Sequence, residues 1–401
     1  MTLEIEKLLK GIDSMAQATA QRLQDRKSTA DDLLQILDQY ASDWVAIEAA
    51  LDHAQQLADP KLYRSARPFD HIQPLNAQIN PAAPPAQAII VATDGSQIMP
   101  DRHAAHLYYL INIGGIIYFY GGSRAPQPFT IPELHYPAND QEAAQFVMGS
   151  GEVSIARDLR EIGTLADTAW NLRGGDQPVL AVLDQRLLYW PIGDIEAPLN
   201  DKVLAWLKGM TKVRDAGALL AGFIDRPMTT AVVTLLRSLT GLGDPKFDWK
   251  SLGKSGAGGG LNDVALFRRL LEPGQRSKVF VNVSPPNARF AEHDRANEVC
   301  FFYFHSGRGI ARVDIPRWVA EDEGGVTAVH ALLHDQCQIL GDYPYVIARA
   351  DEMAVVGHQD HEELNFMIDL TMQKYGISSS LTAKQGSKGL ARGGKTRFMG
   401  P

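Results

Sequence analysis

The sequence predicts a layered α/β fold, a mixed sheet flanked by helices, with a helical region placed ahead of it, and two observations carry that expectation. From residue 87 to about 375, apolar runs of strand length alternate with segments of helical period. Ahead of them the apolar positions recur at helical spacing alone.

In that leading part, Leu33, Leu34 and Leu37, then Trp44, Ile47 and Leu51, line up at helical intervals with charges between them and no proline. Residues 1–58 are therefore expected as one long helix or a helical pair. Residues 59–86 hold six prolines and little periodicity, which predicts an extended Pro-rich linker.

The run AQAIIVATDGS then reads as a buried strand closed by an Asp94-Gly95 turn. HLYYLINIGG and IIYFYGG follow as two further strands, so that the three form an antiparallel meander. Ile155, Leu159, Ile162, Ala166 and Trp170 mark a helix over residues 152–172, and PVLAVLD is a strand ending at Asp184. Helices near 201–210 and 229–239 bracket a strand that ends at Asp225, an acid that either supports the site or caps the next helix. VCFFYFHSG and GIARVDIP read as a hairpin, with helices expected over 326–338, 346–354 and 364–372.

Composition limits the function. A formal net charge of −8 argues against a generic duplex wrapper, so any nucleic-acid contact must be local. Two cysteines, Cys300 and Cys337, form no C-x-x-C pair, which fits reducing cytosol and leaves no zinc ribbon. The apolar stretch 107–120 is too short to span a bilayer and the N-terminus lacks a signal pattern, so a cytoplasmic protein without membrane contact is expected. Gly253-Lys254-Ser255 lacks the glycine that a Walker loop needs five positions earlier, where Asp248 stands, so the segment reads as a surface loop. His358, His361 and Glu362 lack H-E-x-x-H spacing and read as a solvated helix start.

Phosphodiester hydrolysis by two divalent ions needs carboxylates converging from neighbouring elements, and hard Mg²⁺ or Mn²⁺ prefers such oxygen donors. Asp94 and Asp184 both end apolar strands, where open α/β sheets place their ligand sites. A helix glutamate lies between them, and a late acid follows. That order resembles the ribonuclease H-like fold.

The stretches VATDGSQI, ARDLREIGTLAD, AVLDQRLLYW, GFIDRPMTTAVVTLLR and GDYPYVIARADEMAVV make the resemblance specific. From about residue 87 to 375 the chain is similar to the NurA nuclease family. The resemblance implies a Mn²⁺-dependent (or Mg²⁺-dependent) DNA nuclease holding two ions, a single-strand endonuclease and 5′–3′ exonuclease. It further implies a homodimer that acts in DNA end resection with a HerA-type hexameric ATPase.

Position by position, the resemblance makes Asp94 and Asp184 strand-end metal ligands, Glu161 the helix ligand and Tyr343 a catalytic tyrosine. Helical geometry alone offers Glu152 as the alternative glutamate. Two departures from the family pattern stand out. Gln185-Arg186 follows the second aspartate where Gly-Ser is common, and Asp351 stands eight residues beyond Tyr343 where histidine is common. Asp351 can ligate a hard ion as well, and Arg186 can contact phosphate. The same departures support an alternative, a catalytically inactive adaptor that dimerises and docks a translocase.

For DNA contact the basic candidates are Arg186, Arg308, Arg312 and, less directly, Lys254, Arg268 and Arg269. Residues 376–401 form an expected basic flexible tail, in which Lys384 and Lys388 could contact phosphate.

Overall fold

The structure is a computed structural model that describes residues 5–101, 106–139, 142, 146, 150–191, 199–252 and 260–377, apart from the side chains of 22–28. Lys254, Lys384 and Lys388 lie outside the described residues.

The leading helical region is a pair, α1 (Leu9–Gln39) and α2 (Trp44–Leu57). Asp43 starts the second helix by accepting the Ala46 N–H at 3.1 Å, which satisfies one of the donors a helix start leaves free. Leu37, Ile47 and Leu51 are the buried stripe seen in the sequence, and they pack on the later helix Ala231–Gly241.

The Pro-rich segment after them differs from its expectation. It contributes the edge strand β1 (Ser65–Pro68) and buries Tyr63, Ala66 and Leu75. Proline is tolerated there because an edge strand need not donate on both sides.

The remaining strands are β2 (Ala88–Ile98), β3 (Tyr109–Tyr120), β4 (Gln127–His135), β5 (Val179–Leu183), β6 (Leu219–Ile224), β7 (Phe280–Val283), β8 (Val299–His305) and β9 (Ile310–Pro316). Among the described residues they form one sheet in the order β1-β7-β8-β9-β6-β5-β2-β3-β4. The central pairs β2–β5 and β5–β6 are parallel, and every other pair is antiparallel. The expected mixed sheet and late hairpin are present.

Two strand expectations are corrected. The runs HLYYLINIGG and IIYFYGG are a single strand, β3, and β4 is the third member of the meander. Gly114 and Gly115 are not a break; they let neighbours close in, since a Cβ at Gly115 would meet the Phe129 ring at 2.3 Å. Asp94-Gly95-Ser96 is not a turn either, because β2 runs on to Ile98 and Asp94 pairs with Gly114.

Helices cover both faces of the sheet. They are α3 (Ser150–Asn171), α4 (Asp201–Asp215), α5 (Ala231–Gly241), α6 (Asp263–Leu270), α7 (Pro285–His293), α8 (Arg317–Ala320), α9 (Glu323–Leu340), α10 (Tyr345–Ala354) and α11 (His358–Lys374). Strand alternation sorts the core: Ile90, Ala92, Val182 and Phe223 meet α9 and α10, whereas Val91, Ala181, Leu183 and Leu220 meet α3 and α4. With both faces covered, β5 reads as the continuous buried run VLAVL.

Candidate active site

The site follows from that register. Thr93 and Leu183 are the last paired residues of β2 and β5, so Asp94 and Asp184 are the next residues on adjacent parallel strands. Asp225 follows Ile224, the last residue of β6. Period-two alternation puts Asp94 on the face of Ala92, Asp184 on that of Val182 and Asp225 on that of Phe223, all toward α9 and α10. Three aspartates therefore gather at the carboxyl ends of three neighbouring strands.

Helix α10 supplies the fourth carboxylate, Asp351. Its last turn lies on β3 at Gly114, where an added Cβ would stand 2.1 Å from the Ala354 nitrogen. Asn112 donates to the Ala354 carbonyl at 2.9 Å, and the Ser96 hydroxyl donates to the same oxygen. The end of the helix is thus tied to the strand pair that carries Asp94.

The cluster is electrostatically tense. Withdrawal from water raises the Asp94 pKa, and a hydrogen bond with Asp351 and that residue's charge raise it further. The Gly95 N–H at 2.8 Å and the Arg157 charge act the other way. Asp184 is held at about 6 by desolvation and by the charges of Asp94, Asp351 and Asp225, against the lowering effect of a hydrogen bond from Tyr343. The residue keeps a solvent-exposed side, so water screens part of this repulsion. Tyr343 is itself pushed up by burial and by the charge of Asp184, which keeps its hydroxyl proton in place as the donor. Its ring stands edge-on to Phe223 at 5.6 Å, which fixes the direction of that donor.

Glu161 enters from α3 and is 3% exposed. Burial first, and then the Asp94 charge, push its pKa well above the usual carboxylate range, while the Gln185 amide donates to it at 3.1 Å. Glu152 is elsewhere: it is exposed in the first turn of α3 and pairs with Lys202 at 3.7 Å. Between the two glutamates suggested by the sequence, the structure brings only Glu161 to the aspartates.

Asp225 does not cap the helix that follows it. Asp263 takes that role, accepting the Val233 N–H of α5 at 2.8 Å and a hydroxyl bond from Tyr303 at 2.5 Å. Just after Asp225, Arg226 adopts a left-handed conformation (φ 48), uncommon for a side chain of this size.

The basic candidates separate in the same way. Arg186 is exposed beside Asp184, Arg308 is exposed in the β8–β9 turn, and Arg268 and Arg269 are exposed on α6. Arg312 is corrected. It is 4% exposed, pairs with the buried Asp314 at 2.6 Å, and lies over the Phe301 ring at 3.8 Å, so its charge is already neutralised. His358 faces Glu362 at 3.4 Å on an exposed helix start, as expected.

Sequence reasoning missed Arg157, Asn112 and Gly114. Arg157 carried a signal, since it precedes Glu161 by four residues on one helix and its charge acts on both Glu161 and Asp94. Asn112 and Gly114 carried none that is local.

Oxygen-rich, partly buried and short of cations, the Asp94–Asp184–Asp351 set fits Mg²⁺ or Mn²⁺ by its donor chemistry. As the side chains stand, no three His, Cys, Asp or Glu groups among the described residues are already arranged to hold an ion. Asp94 is engaged with Asp351 and Asp184 with Tyr343, so ion binding requires these carboxylates to turn from their mutual bonds.

Fold and site together define an α/β protein with a carboxylate cluster at its parallel strand ends. A family model for the NurA domain matches residues 88–356, and the chain belongs to this nuclease family. The crystal structure of the NurA nuclease from Sulfolobus solfataricus aligns over 85% of this chain and 97% of its own, with a TM-score of 0.43 and 17% identity. No curated protein matches. Among the described residues, no helix is long and apolar enough to cross a membrane.

Proposed function

We propose that the protein is a Mn²⁺- or Mg²⁺-dependent DNA nuclease, with Asp94, Asp184 and Asp351 holding the ions and Glu161 completing the acidic set. The observation that supports it best is the convergence of Asp94, Asp184 and Asp351 at one end of the sheet, with mutual repulsion that a divalent cation would relieve. Bound ions would activate water and stabilise the leaving oxygen. The chain's own residues orient the ligands. Tyr343 fixes Asp184 through its hydroxyl, Gln185 holds Glu161, and Arg157 offsets part of the charge on Asp94 and Glu161. Arg186, exposed just after Asp184, would contact a phosphate of the strand.

Single-strand endonuclease and 5′–3′ exonuclease action in end resection, a homodimeric state and partnership with a HerA-type hexameric ATPase belong to the same proposal. They rest on family membership. The competing adaptor reading draws on the Gln185–Glu161 hydrogen bond and on the absence of a ready three-ligand group among the described residues.

One assay separates the two. Purified protein with Mn²⁺ is expected to degrade end-labelled single-stranded DNA, and Asp94→Ala is expected to abolish degradation with an unchanged unfolding curve. Undiminished cleavage by Asp94→Ala would sink the nuclease site as assigned, and absence of cleavage by the wild type with either ion would favour the adaptor.

A further inference from the structure

A recess of about 850 Å³ opens beside the carboxylates, with Asp184 and Asp225 on its wall. Its volume lies in the range of about 300–1,000 Å³ that ligand clefts occupy. Its other walls come from parts of the chain far apart in sequence, including the segment just before β1 and the start of α7.

Besides Asp184, Asp225 and the self-paired Arg312 and Asp314, four side chains bear on the chemistry of the recess. Arg64 and Arg186 both line it. Among the described residues the Arg64 guanidinium donates to the Tyr63 carbonyl alone, at 2.8 Å, and neither arginine is paired with a carboxylate. Trp190 is half-buried in the wall, and its indole N–H has no partner among the described residues. Ser284, 8% exposed, likewise leaves its Oγ unpartnered there, although it stands at the start of α7 and could have capped that helix.

Arg186 keeps its guanidinium in water and Arg64 is partly buried with no carboxylate beside it, so both can meet an anion. Burial alone lowers the Arg64 pKa, with no acid acting to restore it. A ligand that meets the two guanidinium groups and the Trp190 ring must carry several anionic oxygens and flat apolar faces. A single polynucleotide strand does so, because its phosphates repeat along the backbone and every base offers a face for stacking.

We propose that this recess is the path of single-stranded DNA away from the carboxylate cluster, with Arg64 and Arg186 on its phosphates and Trp190 stacked on a base. The inference rests on the nuclease reading of the same site. It assigns substrate binding to Arg64, which lies outside the span 88–356 matched by the family model.

The test is binding of a fluorescein-labelled oligo(dT) of about twenty nucleotides to the full chain in chelator, followed by anisotropy, where no cleavage intervenes. Arg64→Ala and Trp190→Ala are each expected to weaken binding about tenfold, and Trp190→Phe to recover most of the loss because it keeps a stacking ring. Arg64→Ala should also flatten the salt dependence by about one unit of slope. Urea midpoints check folding, and Arg64→Gln replaces Arg64→Ala if the shorter side chain shifts the midpoint. Wild-type affinity in folded Arg64 and Trp190 variants overturns the strand path, even where Asp94→Ala has lost cleavage. Full cleavage by Asp94→Ala refutes the nuclease assignment instead, which the binding data would then outlive.

Discussion

Gly114 lies directly across the β2–β3 ladder from Asp94, and the hydrogen on its Cα is all that separates β3 from the backbone of α10 at Ala354. That close approach lays the last turn of α10 over the strand pair and brings Asp351 to Asp94. An apparently featureless glycine in an apolar run thus sets the distance between two of the candidate ligands.

Gly114→Ala is therefore expected to act on the site through packing. The new methyl would meet backbone atoms at 2.1 and 2.4 Å, and neither is the end of a flexible side chain that could swing away. Helix α10 must shift, at a cost of about 1–3 kcal/mol in stability. Misplacing Asp351 should lower Mn²⁺-dependent cleavage at least about tenfold even where the protein is fully folded. Urea unfolding and the nuclease assay on the same preparation check this. Wild-type activity in a folded Gly114→Ala protein would show that the Asp351–Asp94 distance does not matter.

The pH response of the ion-free protein follows from Asp184. Its folded pKa, about 6, lies above the unfolded value, so the native state binds the extra proton. The sign is that this group stabilises the fold fully below the unfolded value, and the contribution disappears as pH rises through about 6. In chelator the thermal midpoint should therefore fall between pH 5 and pH 7.5, and Asp184→Asn should reduce that fall. Adding Mn²⁺ should raise the midpoint more at pH 7.5 than at pH 5, because ions compete with protons for the same oxygens. A Mn²⁺ gain independent of pH, or unaltered by Asp184→Asn, would count against the cluster as the ion site.

How much of this was legible in the sequence depends on whether each feature is local. Asp94 and Asp184 could be read because each terminates or interrupts an apolar strand run, where an acid is expensive without a purpose. Asp351 and Tyr343 were reached through family resemblance, since a helix acid in IARADEMA carries no mark of its own. The turn expected at Asp94-Gly95 failed because Gly95 makes room for Arg157, whose side chain would lie 2.7 Å from an added Cβ, rather than bending the chain. Strands β1 and β7 were invisible because four residues, some of them Pro or Asn, show no alternation, and their pairing joins segments more than two hundred residues apart. Asn112 and Gly114 act only through α10, a contact that no local pattern announces.

Arg312 shows the same difficulty for a charge, and it yields the sharpest contrast between two arginines that look alike in sequence. In IARVDIP the alternation of Arg312 and Asp314 with apolar residues reads as one solvated strand face. Every residue of β9 is instead buried, and the pair neutralises itself in the core, where Asp314 also accepts the Leu187 N–H at 3.2 Å. Arg312→Ala would leave Asp314 buried and unpaired, a loss of about 3–5 kcal/mol, and it would loosen the loop that carries Arg186. Arg186→Ala removes an exposed guanidinium and should change stability by no more than about 0.5 kcal/mol, while weakening oligo(dT) binding severalfold. Urea melts and anisotropy on both variants decide the matter. If Arg312→Ala is as stable as the wild type, the buried pair is not a structural element; if Arg186→Ala binds the strand normally, its place beside Asp184 has no part in holding DNA.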